Sequence, residues 1–431
     1  MDKLAAELNA VIENKPVYRL LSDLGKRMYF PKGIISQSAE AKRDAYKYNA
    51  TIGMAMEGGQ TMFIPSMRKL VNGLSATEMF AYAPTAGLPE LRQIWMMEMI
   101  RKNPSLVNKT VSMPIITSGL THGLSIISDI FVDENDDVII PDMFWGNYKL
   151  IFNVLHKAKV DTFALFDENY HFNANAMEET IKRMGKKVVI LLNFPNNPTG
   201  YSPSTKEQQQ IVQALVRQAD AGKDMLVICD DSYYGLFFEN EIEHQSIFAS
   251  LCDAHDNITA VKIDGATKEE LVWGFRTGFI TFGGKALDDA AISVLEKKIM
   301  GSIRSTVSTC STISQNIILK GMRSITYHQE KASVAAKMKG RYMQVRKAID
   351  SMPDGVPLVA LPFNSGYFMT FVVKKIGAEN LRKYLLEHYG VGTISIGEKY
   401  LRVAFSSVDL NNIHDLFGTI FKAAKELNRR T

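Results

Sequence analysis

The sequence predicts an α/β protein whose large domain contains a mostly parallel, seven-stranded sheet between helices. Short apolar segments alternate along the chain with longer segments of helical periodicity. The apolar segments are nearly continuous, which is typical of strands that a parallel sheet buries on both faces. Each ends at a polar residue or a glycine, which favours a turn directly after the strand. A smaller α/β domain formed by both ends of the chain completes the predicted fold.

The segments predicted as strands of the large sheet lie between residues 111 and 283. In chain order they are VSMPIIT, DDVIIPD, VDTFALF, KKVVILLNF, DMLVICDD, TAVKIDG and TGFITFG. A long helical pattern over residues 314–351 then leads to the smaller domain. Its predicted strands are VPLVAL, SGYFMTFVV and YLRVAFSS, and its predicted helices are AENLRKYLLEHYG and NNIHDLFGTIFKAAKEL.

The length of the chain predicts two closely packed domains. Its 431 residues exceed what one simple hydrophobic core accommodates. We expect residues 1–60 to form an N-terminal arm and part of the small domain. Residues 61–315 are expected to form the large domain, and residues 316–431 the small C-terminal domain.

Charge and composition argue against several classes of function, namely nucleic-acid binding, membrane insertion and metal binding. The chain has 50 Lys and Arg against 46 Asp and Glu, without a basic tract, so we expect no nucleic-acid partner. No run approaches the ~20 apolar residues that a membrane span needs. The three cysteines are far apart and the histidines show no metal-binding spacing, so we expect no metal site. The first residues are charged and amphipathic without an apolar signal core, and we expect a cytoplasmic protein.

Three short strings carry reactive groups in a fixed order. They are NFPNNPTG at 193–200, CDDSYYG at 229–235 and DGATKEELVWGFRTGF at 264–279. The amine of Lys268 can form an imine with an aldehyde, and Arg276 can hold a phosphate. A buried acid can keep a pyridine nitrogen protonated, which makes the ring an electron sink. Together the strings indicate chemistry with pyridoxal 5′-phosphate.

Each string also has a structural interpretation. NNPTG consists of favoured turn residues, although its position after a strand favours a role for Asn197 as a donor to the cofactor phenolate. Asp230 or Asp231 could cap a helix, but two adjacent acids exceed what a cap needs. We favour Asp230 as the pyridinium partner because it continues the strand, and Tyr233 could point to the same side. SGLTHG after the first strand is a candidate phosphate cradle, since backbone N–H groups at a helix N-terminus bind anions.

The ordered set of strings resembles the aspartate aminotransferase superfamily, the class I/II aminotransferases of fold type I. The resemblance extends from about Gly53 to Arg402 and rests on YAPTAGLPELR, WGNY, NNPTG, DDSYYG, the lysine segment and RVAFS. It implies a homodimer with shared active sites, and small-molecule substrates, an amino acid and a 2-oxo acid. It also implies amino-group transfer by a ping-pong mechanism through a Lys268 aldimine.

The resemblance implies a role for each matching residue. Lys268 would be the catalytic residue. The implied cofactor-binding residues are Gly119, Leu120, Thr121, Trp145, Asn197, Asp230, Tyr233, Arg276 and Tyr82. Trp145 would stack on the ring, with Phe144 as the alternative, and Tyr82 would reach the phosphate in the partner subunit. The implied substrate-binding residues are Gly53, Arg402, which would hold the α-carboxylate, and Arg304, which favours aspartate or glutamate as amino donor.

Two departures from the family pattern lie beside the lysine. Gly265 stands where a serine often contacts the phosphate, which predicts a reduced phosphate affinity. Glu269 and Glu270 follow Lys268, where two acids are unusual. We expect both to point outward as a solvated helix start, favoured by the helix dipole.

Other functions fit the same residues. A C–S lyase or a decarboxylase would share the lysine, the acid and the phenol, so the sequence separates these reactions poorly from amino transfer. A non-catalytic regulator on this fold is a remote alternative, since loss of Lys268 or Asp230 would mark such a scaffold and both residues are present.

Overall fold

The structure, a computed structural model, describes residues 2–31 and 33–430. The N-terminal part contains α1 (Lys3–Ile12), α2 (Pro16–Leu20), α3 (Asp23–Arg27), α4 (Ile34–Asp44), β1 (Tyr48–Asn49), β2 (Met56–Glu57), β3 (Gln60–Thr61), α5 (Pro65–Leu70), α6 (Ala76–Phe80) and α7 (Pro89–Lys102).

The middle of the chain alternates strands and helices. Its elements are β4 (Ile115–Thr117), α8 (Leu120–Phe131), β5 (Asp137–Pro141), β6 (Lys159–Phe163), α9 (Ala174–Arg183), β7 (Lys187–Asn193), α10 (Thr205–Asp220), β8 (Asp224–Asp230), α11 (Ile247–Leu251), β9 (Ile258–Asp264), α12 (Ala266–Glu269), β10 (Gly278–Gly283) and α13 (Asp289–Thr306).

The C-terminal part begins with two helices and continues with a second sheet. Its elements are α14 (Thr312–Met322), α15 (Tyr327–Asp350), β11 (Leu358–Ala360), β12 (Phe368–Val373), α16 (Ala378–Tyr389), β13 (Val391–Gly392), β14 (Ile394–Ile396), β15 (Tyr400–Ala404) and α17 (Ile413–Arg430).

The central sheet of the described residues has seven strands in the order β4-β10-β9-β8-β7-β5-β6. The neighbours from β9 to β6 are parallel, and β10 runs antiparallel to both β9 and β4. This confirms the predicted fold class. Because β4, β7, β8 and β9 run in the same direction, their carboxyl ends meet at one edge of the sheet.

Both faces of this sheet are covered by helices. In β7, Val188, Ile190 and Leu192 pack into the core beneath α9, α10 and α11. The alternate residues Val189 and Leu191 pack into the opposite core, beneath α8 and α13. Burial on two faces explains why the strands are apolar without interruption.

A second, antiparallel sheet has the order β11-β12-β15-β14 among the described residues. The N-terminal part of the chain reaches it, because β1 pairs with β13 and α4 packs against β13 and β14. The predicted boundaries near residues 60 and 315 stay predictions. No helix in residues 2–31 and 33–430 is long and apolar enough to cross a membrane.

The helical pattern over residues 314–351 consists of two helices. The chain leaves α14 after Met322 and enters α15 at Tyr327. Between them the hydroxyls of Ser324 and Thr326 hydrogen-bond each other, and Thr326 also donates to Glu330. Hydroxyl side chains that bond locally offer the backbone an alternative to a continuous helix.

Candidate functional site

The polar ends of the parallel strands line one cavity. In the register of the sheet, Asn193 at the end of β7 lies opposite Asp230 at the end of β8, and Asp230 lies opposite Ile263 near the end of β9. Next to these ends is a cavity of about 250 Å³, lined by Leu120, Thr121, Trp145, Tyr148, Asn193, Asn197, Asp230, Tyr233, Thr267, Lys268, Trp273 and Arg276, among others. The three strings singled out in the sequence therefore meet at a single place.

Lys268 presents its amine to this cavity. It lies in α12, and its Nζ is 4.8 Å from the centre of the Tyr233 ring. Burial lowers the pKa of the Lys268 amine to about 8, while the Asp230 carboxylate opposes this shift and Arg276 reinforces it. About a tenth of the amine is therefore neutral at pH 7, far more than for a lysine in water, and the neutral form is the one that attacks a carbonyl.

Asp230 and Asp231 have different partners. Asp230 is 2% exposed, and its carboxylate accepts hydrogen bonds from the Tyr148 hydroxyl at 2.6 Å and the backbone N–H of Ser232 at 3.0 Å. Asp231 instead forms a buried ion pair with Lys262. Asp230 lines the cavity, and Asp231 is engaged away from it.

Arg402 connects the second sheet to the NNPTG loop. It lies on β15, is 3% exposed, and donates through Nη1 to the Asn197 side-chain oxygen at 3.2 Å and through Nη2 to the Thr51 carbonyl at 3.0 Å. Burial lowers the pKa of Arg402 to about 10, so the guanidinium stays charged at neutral pH. Its Nε has no hydrogen-bond partner within the described chain. The bond from Arg402 leaves the amide nitrogen of Asn197 as the remaining donor of that side chain.

The N-terminus of α8 and Arg276 form a cradle for an anion. Gly119 caps α8 with a φ of +82°, and a Cβ there would lie 2.4 Å from Arg276 Nη2. A Cβ on Gly278 would lie 2.8 Å from the Gly119 carbonyl carbon. Two glycines thus allow the guanidinium and the helix N-terminus, with Leu120 and Thr121, to approach closely. Backbone N–H groups and a guanidinium together suit a phosphate.

Trp145 lines the cavity, whereas Phe144 does not. The Trp145 ring meets the Tyr148 ring edge-to-face at 5.6 Å between centroids. The Phe144 ring instead packs under Lys149, whose Nζ is 5.4 Å from its centroid. Of the two aromatic candidates, Trp145 is therefore the one placed to stack on a bound ring.

Gly53 lies close to Phe368, whose ring packs against the Arg402 guanidinium. A Cβ on Gly53 would be 3.6 Å from Phe368 Cζ and 3.9 Å from the Tyr233 hydroxyl. The Phe368 ring in turn lies 4.3 Å from the Arg402 guanidinium carbon. The backbone of Gly53 therefore approaches the same region as the arginine.

Tyr82 and Arg304 lie outside the cavity of their own chain. Tyr82 follows α6 and is 91% exposed. Arg304 lies in the last turn of α13, is exposed, and donates to the Ser308 hydroxyl at 2.6 Å. Neither residue contacts the groups around Lys268 within one chain, so the roles predicted for them stay predictions.

The expectation that Glu269 and Glu270 are solvated is wrong. Glu270 is completely buried and its carboxylate accepts from Tyr327 and Lys331, and Glu269 pairs with Lys102 and Lys331. These partners are contributed by α7 and α15, which are distant in sequence. The sequence around Lys268 therefore does not indicate that these two acids have buried partners.

The absence of a side chain at Gly265 has a packing reason. A Cβ there would lie 2.8 Å from Leu120 Cδ1 and 2.8 Å from the Thr277 carbonyl oxygen. The backbone of Gly265 thus packs directly against the first residue of α8, which forms the cradle. The predicted reduction in phosphate affinity stays a prediction.

Six residues that line the cavity are not identified by the sequence analysis: Leu124, Tyr148, Asn193, Ser232, Thr267 and Trp273. Asn193 donates through its side chain to the Asp230 carbonyl at 2.8 Å and accepts from the backbone N–H of Asn197 at 2.8 Å. Tyr148 holds Asp230, and its position three residues after Trp145 was the available signal, since that spacing is nearly one helical turn. Trp273 has an indole N–H that is buried and unpartnered among the described residues.

The arrangement suits a flat ligand with an anionic tail. The cradle would hold the tail, Trp145 would cover the ring, and Asp230 would meet a ring nitrogen. The Lys268 amine and the Tyr233 hydroxyl would face polar substituents, and Arg402 would hold a carboxylate by two hydrogen bonds. Within residues 2–31 and 33–430, no group of three potential ligands is placed to hold a metal ion.

Comparison with protein families gives one match over most of the chain. The family described as "Aminotransferase class I and II" matches residues 54–420. A curated relative, the probable N-acetyl-LL-diaminopimelate aminotransferase of Bacillus subtilis, is 27% identical over 337 residues, covering 76% of this chain and 77% of the relative. The aspartate aminotransferase of Pyrococcus horikoshii is 24% identical over 336 residues, covering 76% and 78%.

Solved structures share the fold. An aminotransferase from Anaerococcus prevotii superimposes with a TM-score of 0.82 at 23% identity, covering 92% of this chain and 98% of that one. The aspartate aminotransferase from Thermus thermophilus with maleate gives a TM-score of 0.75 at 18% identity, covering 94% and 99%. At these identities the similarity establishes the architecture.

Proposed function

Because this chain belongs to the class I and II aminotransferase family, whose members use pyridoxal phosphate, we propose that it moves an amino group from an acidic amino acid to a 2-oxo acid. The favoured donors are aspartate and glutamate, and the mechanism is ping-pong. Relatives named aspartate aminotransferase support this choice of donor. The proposal rests mainly on one observation, the half-buried Lys268 amine in the same cavity as Asp230, Tyr233 and Arg276.

The residues around the cavity fit the cofactor. The Gly119 cradle and Arg276 would hold its phosphate, Asp230 its ring nitrogen, and Asn197 and Tyr233 its phenolic oxygen. Buried polar atoms without partners in the described chain, Arg402 Nε and Thr267 Oγ1, are consistent with a polar ligand. When bound, pyridoxal phosphate supplies an electron sink that stabilises negative charge at the substrate Cα.

Each of four side chains has a separate role in the proposed reaction. Lys268 would hold the cofactor through its amine, and the same amine would carry the proton at the substrate Cα. Asp230 is fixed by the hydrogen bond from Tyr148, and its carboxylate would keep the ring nitrogen of the cofactor protonated. Arg402 orients the α-carboxylate, which places the Cα–H bond for attack by the lysine. Burial raises the pKa of Tyr233, so its hydroxyl remains a hydrogen-bond donor at neutral pH.

We further propose a homodimer with shared active sites. Tyr82 is 91% exposed and Phe80, at the end of α6, is 80% exposed, and large aromatic side chains on a surface are typical of an interface. Tyr82 would reach the phosphate bound by the partner. A role for Arg304 in recognising the distal carboxylate likewise requires a second copy, because in its own chain it lies outside the cavity.

The absorption spectrum of the purified protein tests the function. Addition of glutamate or aspartate without a 2-oxo acid is expected to convert the absorbance band of the bound cofactor to that of its amine form. Addition of 2-oxoglutarate or oxaloacetate is expected to reverse the conversion. A Lys268→Ala variant serves as the control, and it should bind the cofactor without the covalent band.

Other results would change the proposal. A cofactor band that ignores both acidic amino acids would contradict the choice of donor while leaving amino transfer of other substrates. Release of ammonia and pyruvate would indicate a lyase, and loss of carbon dioxide would indicate a decarboxylase. Absence of a band after addition of pyridoxal phosphate would contradict the assignment of Lys268.

A further inference from the structure

The two residues after Lys268 point away from the cavity into a buried ionic cluster. Glu270 Oε1 accepts from the Tyr327 hydroxyl at 2.7 Å and from Lys331 Nζ at 2.7 Å. Glu269 Oε1 accepts from Lys331 Nζ at 3.2 Å and also from Lys102. We call these five residues, Lys102, Glu269, Glu270, Tyr327 and Lys331, the acid clamp.

The acid clamp ties the lysine turn to two long helices. Lys102 is the last residue of α7, and Tyr327 and Lys331 lie one turn apart at the start of α15. Side chains four residues apart on a helix share one face, so Tyr327 and Lys331 can bind the same carboxylate. The acid clamp thereby attaches the turn that carries Lys268 to α7 and α15.

The charges in the clamp depend on one another. Burial lowers the pKa of Lys102 to about 7. Burial has the same effect on Lys331, but the Glu270 carboxylate outweighs it and raises the pKa of Lys331 overall. A buried charge is tolerated when it is paired and hydrogen-bonded, so removal of one member leaves another without compensation.

The turn beyond the clamp is strained. Leu271 and Arg276 have φ values of +55° and +50°, in the left-handed region that non-glycine residues rarely adopt. Such residues persist where the surroundings hold them in place. Glu270 directly precedes Leu271, and its Oε2 is buried without a partner in the described chain. A buried acid retained with one unsatisfied oxygen points to a role in holding this conformation.

Apolar side chains also hold the turn, since Leu271 and Val272 are only 5% and 8% exposed and belong to the hydrophobic core. A cavity of about 600 Å³ lies against the clamp and is lined by Lys102, Lys268, Glu269 and Lys331, among others. The turn is therefore held by the ion pairs and hydrogen bonds of the acid clamp together with apolar packing.

We infer that Glu270, held by Lys331 and Tyr327, is a positioning residue that fixes the strained 268–276 turn and so places the Lys268 amine and the Arg276 guanidinium together in the cavity. The inference rests on the proposed role of Lys268 as the residue that binds the cofactor. Glu270 does not line the cavity of Asp230 and Arg276, so it would act through the backbone of the turn.

The test compares Glu270→Gln with a matched buried acid elsewhere. Glu178 is 9% exposed and is held by Arg217 and Gln218, far from the cavity, so Glu178→Gln is the control for a general loss of stability. Hydrogen exchange of the cofactor-free protein is measured over residues 266–276. We expect about tenfold faster exchange in Glu270→Gln and no change over this segment in Glu178→Gln.

A second measurement follows the pH dependence of covalent capture of pyridoxal phosphate by the cofactor-free protein. A loosened turn exposes Lys268 to water, so in Glu270→Gln its pKa should rise and the midpoint of capture should move up by about 1 pH unit. Asp230, Tyr233 and Arg276 face Lys268, and Lys102, Glu269 and Lys331 line the 600 Å³ cavity that Lys268 also lines. None of these groups is replaced in this variant. A loss of general stability would not move this midpoint.

Variants of the partners keep the inference testable if Glu270→Gln does not fold. Lys331→Met should reproduce the faster exchange and the shifted midpoint, and Lys331→Arg should behave close to wild type. Unchanged exchange and an unchanged midpoint in Glu270→Gln or Lys331→Met would overturn the inference. If Lys268→Ala captures the cofactor as wild type does, the proposed function fails. The hydrogen-exchange measurement then still shows whether Glu270 fixes the turn.

Discussion

Lys268 carries a nucleophilic amine whose neutral fraction is increased by burial. Its pKa of about 8 lies below the value of 10.5 for a lysine in water. We expect the rate at which the cofactor-free protein captures pyridoxal phosphate to rise about tenfold per pH unit and to level off near pH 8, following the neutral amine. Stopped-flow absorbance would measure this. A rate independent of pH between 6 and 9 would contradict the assignment.

The lowered pKa of Lys268 also makes the stability of the folded, cofactor-free protein depend on pH. Between about pH 8 and 10.5 the unfolded chain binds the Lys268 proton and the folded chain does not, so stability rises with pH across this window. Below pH 8 the full penalty of burying the charge is present. Lys268→Met should therefore be more stable than the wild-type cofactor-free protein by about 2 kcal/mol at pH 7. Urea unfolding at pH 7 and pH 10 would show this difference shrink.

In the proposed role of Arg402, a guanidinium suits the substrate carboxylate better than a point charge would. A guanidinium donates two parallel hydrogen bonds, whereas a lysine ammonium cannot reproduce this geometry. We expect Arg402→Lys to raise KM for aspartate by about 10- to 100-fold, the value of one or two charge-assisted hydrogen bonds. The absorbance band of the bound cofactor should remain. A simultaneous loss of that band would mean that Arg402 mainly supports Asn197.

Among single residues, the sequence predicts those whose role can be read from a short string of neighbouring residues. Asp230 is the last residue of β8 and Lys268 lies shortly after the end of β9, and parallel strands bring their carboxyl ends together. The burial of Glu270 could not be predicted, because Tyr327 and Lys331 approach it from a helix more than fifty residues away. Tyr148 was also missed as the partner of Asp230, since that contact depends on how two elements pack.

At the scale of elements, the NNPTG loop and β12 fit together at a glycine. Gly200 has a φ of +76°, and a Cβ there would lie 2.0 Å from the Phe368 carbonyl oxygen. We expect Gly200→Ala to destabilise the protein by about 3 kcal/mol or more, through overpacking and backbone strain. Gly222→Ala is the control. Gly222 has a φ of +91° with nothing within 4 Å of an added Cβ, so its cost should be about 1 kcal/mol. Equal shifts in the urea midpoint would contradict the packing argument.

The elements that sequence patterns identify are those with enough residues to show a period. Strands β7, β8 and β9 each have seven residues, and all three were predicted closely. Strands β13 and β14 have two and three residues, too few for a pattern. The break between α14 and α15 was missed because hydroxyl residues end helices only in particular local conformations.

At the scale of the whole molecule, a shared site predicts recovery of activity in mixed dimers. If Tyr82 acts in the partner's cavity, Tyr82→Ala and Lys268→Ala chains should each be impaired as homodimers. After unfolding and refolding together, about half of the dimers would be mixed and would hold one intact site, giving about a quarter of wild-type activity. A mixture no more active than its components would contradict the shared site. Analytical ultracentrifugation of each variant would confirm that dimers form.

The sequence by itself determined the α/β class, the family and the cofactor, because runs of apolar residues and short reactive strings are local properties. Only the tertiary structure decided which groups meet. It placed Asp230 rather than Asp231 at the cavity, left Tyr82 and Arg304 outside it, and buried Glu270. The physical reason is that such contacts depend on how helices and sheets pack, which brings together residues that no local pattern relates.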